Sequence, residues 1–277
     1  SANWTGVAYG GNRFVAISDS SAVAYSADAG TTWTLSEFPT TSAWTSVAYG
    51  NGTFIAVGAS AIAASSNGAS WSTVPSTPSY TWTSVATNGT KFVACGTDVI
   101  ATSSNGVSWG ASTVLGGWKS VAYGKSTWVM VATDTVAYST NDGSSWTSAT
   151  VTGNWISVAY GNGRFVAIPS SGASAMYSLD GITWYASTMP ASRSWTEITY
   201  GQGTFYAIAT GGNGAASTPD GVTWVGRSTA AAASWNAVGF GNPSINGSRV
   251  PRFIAVGTSG STAGRVISCG STAIGRT

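Results

Sequence analysis

The sequence predicts an all-β fold, and three observations support it. A motif of the type Trp-Thr-Ser-Val-Ala-Tyr-Gly recurs at spacings of 36 to 40 residues along the 277-residue chain. Each copy contains short runs rich in β-branched and aromatic residues between Gly and Asn turns, a pattern typical of strands and hairpins. No segment of the sequence shows a helical period over a useful length. The seven copies begin at Trp4, Trp44, Trp82, Trp118, Trp155, Trp195 and Trp235.

Each copy is predicted to form four short antiparallel strands. The first carries the Trp motif and ends in a tight turn such as Asn51-Gly52 or Asn162-Gly163, whose residues tolerate the positive φ of two-residue hairpins. The second strand begins with an aromatic residue, the third is of the AVAYS type, and a second Trp opens the fourth. Because such small apolar sheets bury their faces only against one another, residues 1–277 are predicted to form a single seven-bladed β-propeller.

The aromatic residues are predicted to fill the core between blades. Thirteen of the 14 tryptophans fall at two positions of the repeat, and Trp128 takes the place of the second-strand Phe. Rings at such regular positions are typical of packing residues, since each buries on the order of 150–250 Å². A row of sugar-stacking platforms is the alternative. Cys95 and Cys269 are interpreted as small buried thiols.

Composition limits the possible functions. Only 7% of the residues are charged, the formal net charge is +2, and the sequence contains no histidine. The near balance of charge argues against nucleic-acid binding, and the lack of a long apolar run argues against membrane insertion. Without histidine or paired cysteines we expect no metal site and no cofactor. The first residues lack the features of a signal peptide, so we expect that any export signal is absent or was removed.

The turn between the third and fourth strands carries the most specific motif. Residues 26–33 have the form Ser-x-Asp-x-Gly-x-Thr-Trp, and five related turns follow in phase with the repeat. The motif resembles the Asp-box, or BNR, repeat of sialidases and of many secreted or viral propellers. The resemblance implies a structural role, and a short Asp or Asn side chain can accept backbone N–H bonds across its own turn. The residues given this role are Asp28, Asn67, Asn105, Asp142, Asp180 and Asp220.

The seventh copy departs from the pattern. Ile274 stands where the box Trp is expected, which predicts an atypical or truncated last blade. Closure of the ring then depends on packing of the seventh unit against the first, or on sequence outside this chain. The copy also carries the insertion NPSINGSRVPR between its first two strands. Irregular loops of repeat proteins often carry function, so Arg249 and Arg252 are candidates for contact with another protein.

A sialidase-like glycoside hydrolase is the enzymatic alternative that the resemblance implies. That family uses an arginine triad, a Tyr with a neighbouring Glu, and an Asp acid. Nothing in this sequence matches the family's N-terminal arginine motif. Arg13, Arg164 and Arg252, which directly precede the second-strand aromatic residue, are interpreted as solvated turn residues. Glu197 replaces the Ser or Gly of other first strands and is the one carboxylate of interest, although it has no partner nearby in sequence. We therefore expect no catalytic residue.

The sequence favours a non-catalytic recognition or structural module, extracellular or on a virion surface. Near-identical copies resemble propeller domains of bacteriophage tail-fibre and other host-contacting proteins, which implies binding of a host surface glycan or receptor. The segments that join blades vary most, so we place the ligand on their face. The predicted ligand-binding residues are Asp19, Glu37, Phe38, Tyr80, Asp98, Asp134, Tyr185, Arg193 and Arg227.

Two other binding modes stay open. A purely structural module would contact other chains of a particle. If the insertion forms that contact, deleting residues 243–250 should abolish assembly without unfolding the ring. A self-contained lectin would gain avidity from seven weak sites, but the unlike connecting segments argue against seven equal ones.

Overall fold

A computed structural model describes residues 2–75, 80–258 and 266–270. The regular structure of these residues is antiparallel β, and no helix occurs in them. The predicted all-β class is therefore confirmed. In the same residues there is no helix of the length and hydropathy that crossing a membrane requires.

The strands follow the sequence repeats. The first two repeats contain β1 (Trp4–Gly10), β2 (Arg13–Ser18), β3 (Ala22–Ser26), β4 (Thr34–Glu37), β5 (Trp44–Gly50), β6 (Thr53–Gly58), β7 (Ala61–Ser65) and β8 (Ser72–Thr73). The third and fourth contain β9 (Trp82–Thr87), β10 (Phe92–Ser103), β11 (Gly110–Gly117), β12 (Ser120–Gly124), β13 (Thr127–Ser139) and the first half of β14 (Thr147–Gly161). The fifth contains the second half of β14, β15 (Arg164–Pro169), β16 (Gly172–Ser178) and β17 (Trp184–Arg193). The last two contain β18 (Trp195–Gly201), β19 (Thr204–Ala209), β20 (Gly212–Thr218), β21 (Val225–Gly241), β22 (Ser244–Ile245), β23 (Ser248–Arg249), β24 (Arg252–Thr258) and β25 (Val266–Gly270).

Hydrogen bonding groups these strands into five main antiparallel sheets and one two-stranded hairpin, and not into seven separate four-stranded sheets. The difference arises because two strands run on from one repeat into the next. The first half of β14 pairs with β13 and its second half with β15, and β21 joins β20 to β24 in the same way. Each of the two six-stranded sheets therefore contains strands of two repeats.

Most first strands carry a β-bulge directly after their Trp. A bulge redirects one side chain away from the regular alternation of a strand. The redirected hydroxyl of Thr5 donates to the carbonyl of Trp44 in the next repeat at 2.7 Å, and Thr45 and Thr83 form the same bond at 2.8 Å. The bulge thus links each of these innermost strands to its neighbour.

Apolar clusters fill the space between successive repeats. At the first junction Trp44 and Phe54 pack against Val15 and Ile17. Corresponding clusters occupy the junctions that follow. The prediction that the first-strand tryptophans form the core is confirmed, since all seven are at most 5% exposed.

The first and seventh repeats meet as the others do, which closes the ring. Trp4 and Phe14 share a cluster with Ile254 and Val256 of the seventh repeat. The amide of Asn236 donates to the carbonyl of Trp4 at 2.8 Å, which corresponds to the threonine bonds elsewhere. The antiparallel sheets therefore have the arrangement of a propeller.

A close approach between repeats explains the Gly that ends most first strands. A Cβ at Gly161 would overlap the ring of Tyr200 in the next repeat, and a Cβ at Gly241 would overlap the ring of Tyr9 in the first. The same overlap with the next repeat's ring occurs at Gly10, Gly124 and Gly201. The sequence motif ends in Gly because no side chain fits beneath that ring.

Cys95 lies in the apolar cluster between the third and fourth repeats. Cys95 is a buried free thiol as predicted, and desolvation raises its pKa to about 12. The side chain of Cys269 lies outside the described residues. The predicted truncation at Ile274 also falls outside them, in residues 271–277.

Candidate functional site

The ring has two faces that are built from different turns. We call one the box face; it carries the turns between strands one and two and the six box turns between strands three and four. The opposite connecting face carries the turns between strands two and three and the connections between repeats. The box turns span residues 26–33, 65–71, 103–109, 139–146, 178–184 and 218–224.

In the box turns one Asp or Asn side chain organises the backbone. Oδ1 of Asp180 accepts the N–H groups of Ile182 and Thr183, both at 2.8 Å. The hydroxyl of Ser178 donates to Asp180 and accepts the N–H of Gly181. These are the bonds expected of a structural turn. Closely related bonds are formed by Asp28, Asn67, Asn105 and Asp220.

The box role assigned to Asp142 was wrong by one residue. Asn141 accepts the hydroxyl of Ser139 at 2.9 Å and the N–H of Ser145 at 3.0 Å. This turn is one residue longer than most, and Asp142 occupies the extra position with φ 59°. Its carboxylate instead forms an ion pair with Lys91 of the third repeat at 2.6 Å. It also accepts the indole N–H of Trp128 at 3.2 Å. The Phe that most other repeats carry at this position has no N–H to donate.

The carboxylates of the box turns are held in the charged form. Burial opposes the charge of Asp180, but hydrogen bonds from Thr183, Ile182 and Ser178 outweigh it and lower the pKa. The pKa of Asp220 is lowered in the same way, with burial again the opposing cause and the hydrogen bonds prevailing. These groups are therefore already satisfied by their own turns and are poorly placed to act as proton donors.

Side chains on the hairpins between strands one and two reach the box turn of the next repeat. Nη1 of Arg13 donates to the carbonyl of Asn67 at 2.6 Å, and Nη1 of Arg164 donates to that of Asp220 at 2.8 Å. Both are half-buried rather than solvated turn residues, which corrects the sequence interpretation. Equivalent bonds to the next box turn are made by Asn51, Lys91, Lys125 and Asn162. The box face is thus joined from repeat to repeat by its own polar groups.

Glu197 lies on β18, among the innermost strands. At the corresponding position Ser46, Ser84 and two further serines accept the N–H of a residue in the next repeat. The carboxylate of Glu197 takes over this role and accepts the N–H of Val238. Desolvation raises its pKa to about 8, partly offset by that hydrogen bond. Within the described ranges Glu197 has no cation at ion-pair distance, and no three His, Cys, Asp or Glu side chains come together as a metal site requires.

On the connecting face, Asp98 and Asp134 have the same structural task. Each has a positive φ, 58° and 56° respectively, and lies inside a long strand, β10 or β13, at the point where the strand changes from one pairing partner to the other. Oδ1 of Asp98 accepts the N–H of Gly116 at 2.7 Å, and Oδ1 of Asp134 accepts that of Gly153 at 2.8 Å. These carboxylates were predicted to bind ligand, but one oxygen of each is occupied in tying the turn to the following connection.

Three other predicted ligand residues do not lie on exposed loops. Phe38 is only 4% exposed and stacks on Trp44 with ring centroids 4.1 Å apart, so its assignment to a ligand site was wrong. Tyr185 and Arg227 lie within the outer strands β17 and β21, because the variable segments that contain them form strands instead of loops.

The remaining candidates lie at turns or strand ends. Asp19 accepts the amide of Asn3 at 2.8 Å. Glu37 ends β4 and is exposed, whereas the guanidinium of Arg193 packs over Gly214. Tyr80 is 44% exposed and contacts Trp82 edge to face. The structure therefore does not gather the nine predicted residues into one site.

A cleft opens on the connecting face of the second repeat, and sequence reasoning missed it. Its volume is about 350 Å³. The carbonyl of Tyr80 accepts the N–H of Ser60 at 2.9 Å, which places this aromatic residue next to the cleft. The lining residues are Thr40, Thr41, Ser42, Ala59, Ser60, Ala61, Ile62, Thr73 and Val74.

The insertion of the seventh repeat packs against the first repeat. It forms the hairpin of β22 and β23, with Asn246 and Gly247 both at positive φ. Asn12 of the first repeat exchanges two hydrogen bonds with the backbone of Ser244. Arg249 is exposed and donates to the carbonyl of Asn242, whereas Arg252 is half-buried at the start of β24. The insertion therefore takes part in closing the ring.

Solved structures with a similar fold have unrelated functions. A streptogramin B lyase has a TM-score of 0.77 and 12% identity, and the alignment covers 92% of this chain and 90% of the lyase. YCF48 bound to a D1 peptide has a TM-score of 0.74 and 14% identity, with 94% and 91% covered. A catalytically inactive virginiamycin B lyase from Staphylococcus aureus, with a histidine replaced by alanine and with quinupristin, has a TM-score of 0.76 and 9% identity, with 92% of both chains covered.

These comparisons establish the β-propeller fold alone, because identities this low do not transfer an activity or a ligand. No family model matches the chain. No curated protein matches it either.

Proposed function

We propose that this chain is a non-catalytic recognition module that binds a surface glycan through its connecting face, in an extracellular or virion setting. One observation carries the proposal: the two faces use their polar groups differently. On the box face, the side chains described above bond to turns within or between repeats. The segments that form the connecting face differ in sequence, and the outer strands that lead to it range from two residues in β8 to ten in β17. Hydroxyl groups line an open cleft on this face.

A carbohydrate suits this surface better than a charged ligand does. Charged residues make up only 7% of the chain, while Ser, Thr, Asn and aromatic residues are abundant. Hydroxyl and amide groups supply paired donors and acceptors for sugar hydroxyls, and the half-exposed Tyr80 offers a face on which a sugar ring can pack.

Catalysis is not part of the proposal. The virginiamycin B lyase named above is catalytically inactive with a histidine replaced by alanine, and this chain contains no histidine. Glu197 is the carboxylate whose pKa is raised most among the described residues, but it accepts an N–H from the next repeat, and no second acid or base of the described ranges is paired with it. A sialidase-like hydrolase needs two groups flanking the scissile bond.

The proposal also counts each repeat as one blade, which gives seven blades in five sheets. It is supported by the shared register of first and second strands and by the apolar cluster at every junction. The resemblance of the box turns to Asp-box propellers of sialidases and of phage tail-fibre proteins is kept as part of the same proposal.

Binding of the purified chain to a broad panel of bacterial and eukaryotic surface glycans tests the function. The bound sugars are recovered and weighed by mass spectrometry. Saturable binding of intact sugar is the expected result. Released sugar would establish a hydrolase instead, and no binding across the panel would refute glycan recognition.

A protein partner is the second candidate, and exposed apolar side chains of the fifth and sixth box turns favour it. Leu179, Ile182 and Val222 are 47%, 41% and 42% exposed. The structurally similar YCF48 binds a peptide. If glycans do not bind, cross-linking of the chain in its native particle or extract should place these residues against another polypeptide.

A further inference from the structure

Two features distinguish the second repeat, at its cleft, from the repeats that follow, and the first is a single residue. Ser60 has a φ of 62° and occupies the turn position that Asp98 and Asp134 hold in the next two repeats. The aspartates reach across and accept an N–H from the following connection. Serine is one carbon shorter and ends in a hydroxyl, and its side chain makes no such bond in the described structure.

The strand beside the cleft is also cut short. β8 comprises only Ser72 and Thr73, and Pro75 follows closely in the sequence. Proline cannot donate a ladder hydrogen bond, so it ends the pairing of an outer strand. In the third repeat the corresponding strand, β11, continues for eight residues. The missing carboxylate and the shortened strand together leave the space open.

The lining of the cleft indicates the chemistry of its ligand. Hydroxyl groups of Thr40, Thr41, Ser60 and Thr73 stand at exposed positions around it, while Ile62 and Val74 are buried beneath them. No charged side chain is among the lining residues. Sugars present hydroxyl groups at their edges and C–H groups on their faces, which this combination of a polar rim and an apolar floor matches. An anionic ligand would lose hydration there without gaining a counter-charge.

We propose that this cleft is a subsite for a single uncharged pyranose unit. Its volume of about 350 Å³ is at the lower end of the range for small-molecule sites, enough for one ring with its substituents. The proposal rests on the glycan-binding function above and assigns it a location and a ligand class. It also predicts that the third and fourth repeats lack an equivalent site, since they carry Asp where the second carries Ser.

The test uses the full chain and two kinds of probe. Neutral sugars (glucose, galactose, mannose and N-acetylglucosamine) and acidic ones (glucuronic acid and N-acetylneuraminic acid) are titrated separately and followed by NMR. We expect saturable binding of at least one neutral sugar and none of the acidic sugars. Binding confined to the acidic sugars would overturn the proposed ligand class.

Two variants test the location. Ser60→Asp restores the carboxylate of the third and fourth repeats at a φ that Asp tolerates, and Thr73→Val removes one rim hydroxyl with little change in shape. Each should weaken binding at least tenfold. The matched control Thr113→Val, at an exposed position of the outer strand of the third repeat, should leave affinity within twofold.

The outcomes separate the site from the function. If the chain binds panel glycans but both cleft variants bind as tightly as the natural chain, the cleft is refuted and the recognition function stands. If nothing on the panel binds, both are refuted. Thermal unfolding of each variant is measured alongside, and Ser60→Asp and Thr73→Val should melt within about 3 °C of the natural chain, so that loss of binding reports on the cleft.

Discussion

The box face leaves no room for a methyl group where the first strands end, whereas the connecting face of the second repeat holds a cleft of about 350 Å³. Both surfaces are made from the same repeats. On the box face a Tyr or Phe of one repeat covers the Gly of the one before it, and polar side chains cross the junction to the next turn. On the connecting face of the second repeat, Ser60 stands where the next two repeats carry Asp, and the outer strand is shorter than in the third repeat. The comparison teaches that this protein separates the surface that holds the ring together from the surface that is free to vary.

The largest effect on stability is expected from adding a side chain at a tightly packed junction of the box face. Gly241→Ala places a Cβ within the rings of Tyr9 and Phe14, where the seventh repeat meets the first. Overpacking of this kind should lower the free energy of unfolding by about 3 kcal/mol, measured by urea denaturation. The control is Gly110→Ala, because Gly110 has open space around its Cβ position and a negative φ. Equal stability of the two variants would show that the junction is not tightly packed.

A smaller loss of stability is expected when a box turn loses the carboxylate that accepts its backbone N–H groups. Asp180→Ala leaves the N–H groups of Ile182 and Thr183 without their carboxylate and should cost about 2 kcal/mol. Asp134→Ser, which copies the second repeat on the connecting face, loses one such bond and should cost about 1 kcal/mol or less. A larger loss for Asp134→Ser than for Asp180→Ala would reverse the assignment of the two faces.

The carboxylates of the box turns should make the free energy of unfolding fall at low pH. The pKa values of Asp28, Asp180 and Asp220 are lowered in the folded chain although burial opposes this, because hydrogen bonds to the carboxylates prevail. Their contribution is therefore complete above the ordinary Asp pKa and is lost as the pH falls through the folded values. In Asp180→Ala this acid-dependent loss should be smaller than in the natural chain, which melting curves between pH 2 and 5 would measure.

Glu197, on one of the innermost strands, should give stability the opposite dependence on pH. Its pKa is about 8 in the folded chain because burial disfavours the charge, against an ordinary value of 4.5. Stability from this group is complete below pH 4.5 and is lost as the pH rises toward 8. Partial exposure moderates the effect to on the order of 1–2 kcal/mol. Glu197→Gln keeps an acceptor for Val238 and should flatten the profile between pH 5 and 9; an unchanged profile would show that Glu197 is ordinarily solvated.

The smallest effect is expected at the ion pair of the box face. Lys91 and Asp142 have side chains that are 26% and 51% exposed. An exposed pair contributes little, so Asp142→Asn should cost no more than about 0.5 kcal/mol, and this difference should vanish at 1 M salt. A loss that persists in high salt would mean that the hydrogen bond to Trp128 matters more than the charge.

The sequence predicted the features that repeat and missed those that occur once. The regular Trp positions and box turns gave the strand order, the core and the propeller fold, because each feature appears at the same phase several times. The box acceptor of the fourth repeat was misplaced because Asn141 and Asp142 are adjacent and either could serve. The segments around Tyr185 and Arg227 look like loops in composition, yet they pair as outer strands, where packing demands little of the side chains. The cleft depends on Ser60 against Asp98, a difference with no periodic signal.

The bonds that reach a box turn from the hairpin of the preceding repeat all run in the same direction around the ring. Arg13 supports the turn of the second repeat and Arg164 that of the sixth, and each box turn from the second to the sixth repeat receives such a bond from the repeat before it. Because the first and seventh repeats also touch, the described ring has no end repeat at which fraying could begin. Opening any repeat breaks two junctions at once. Unfolding should therefore be a single cooperative event in which amide protons of the inner strands exchange together, unlike the gradual melting of an open solenoid.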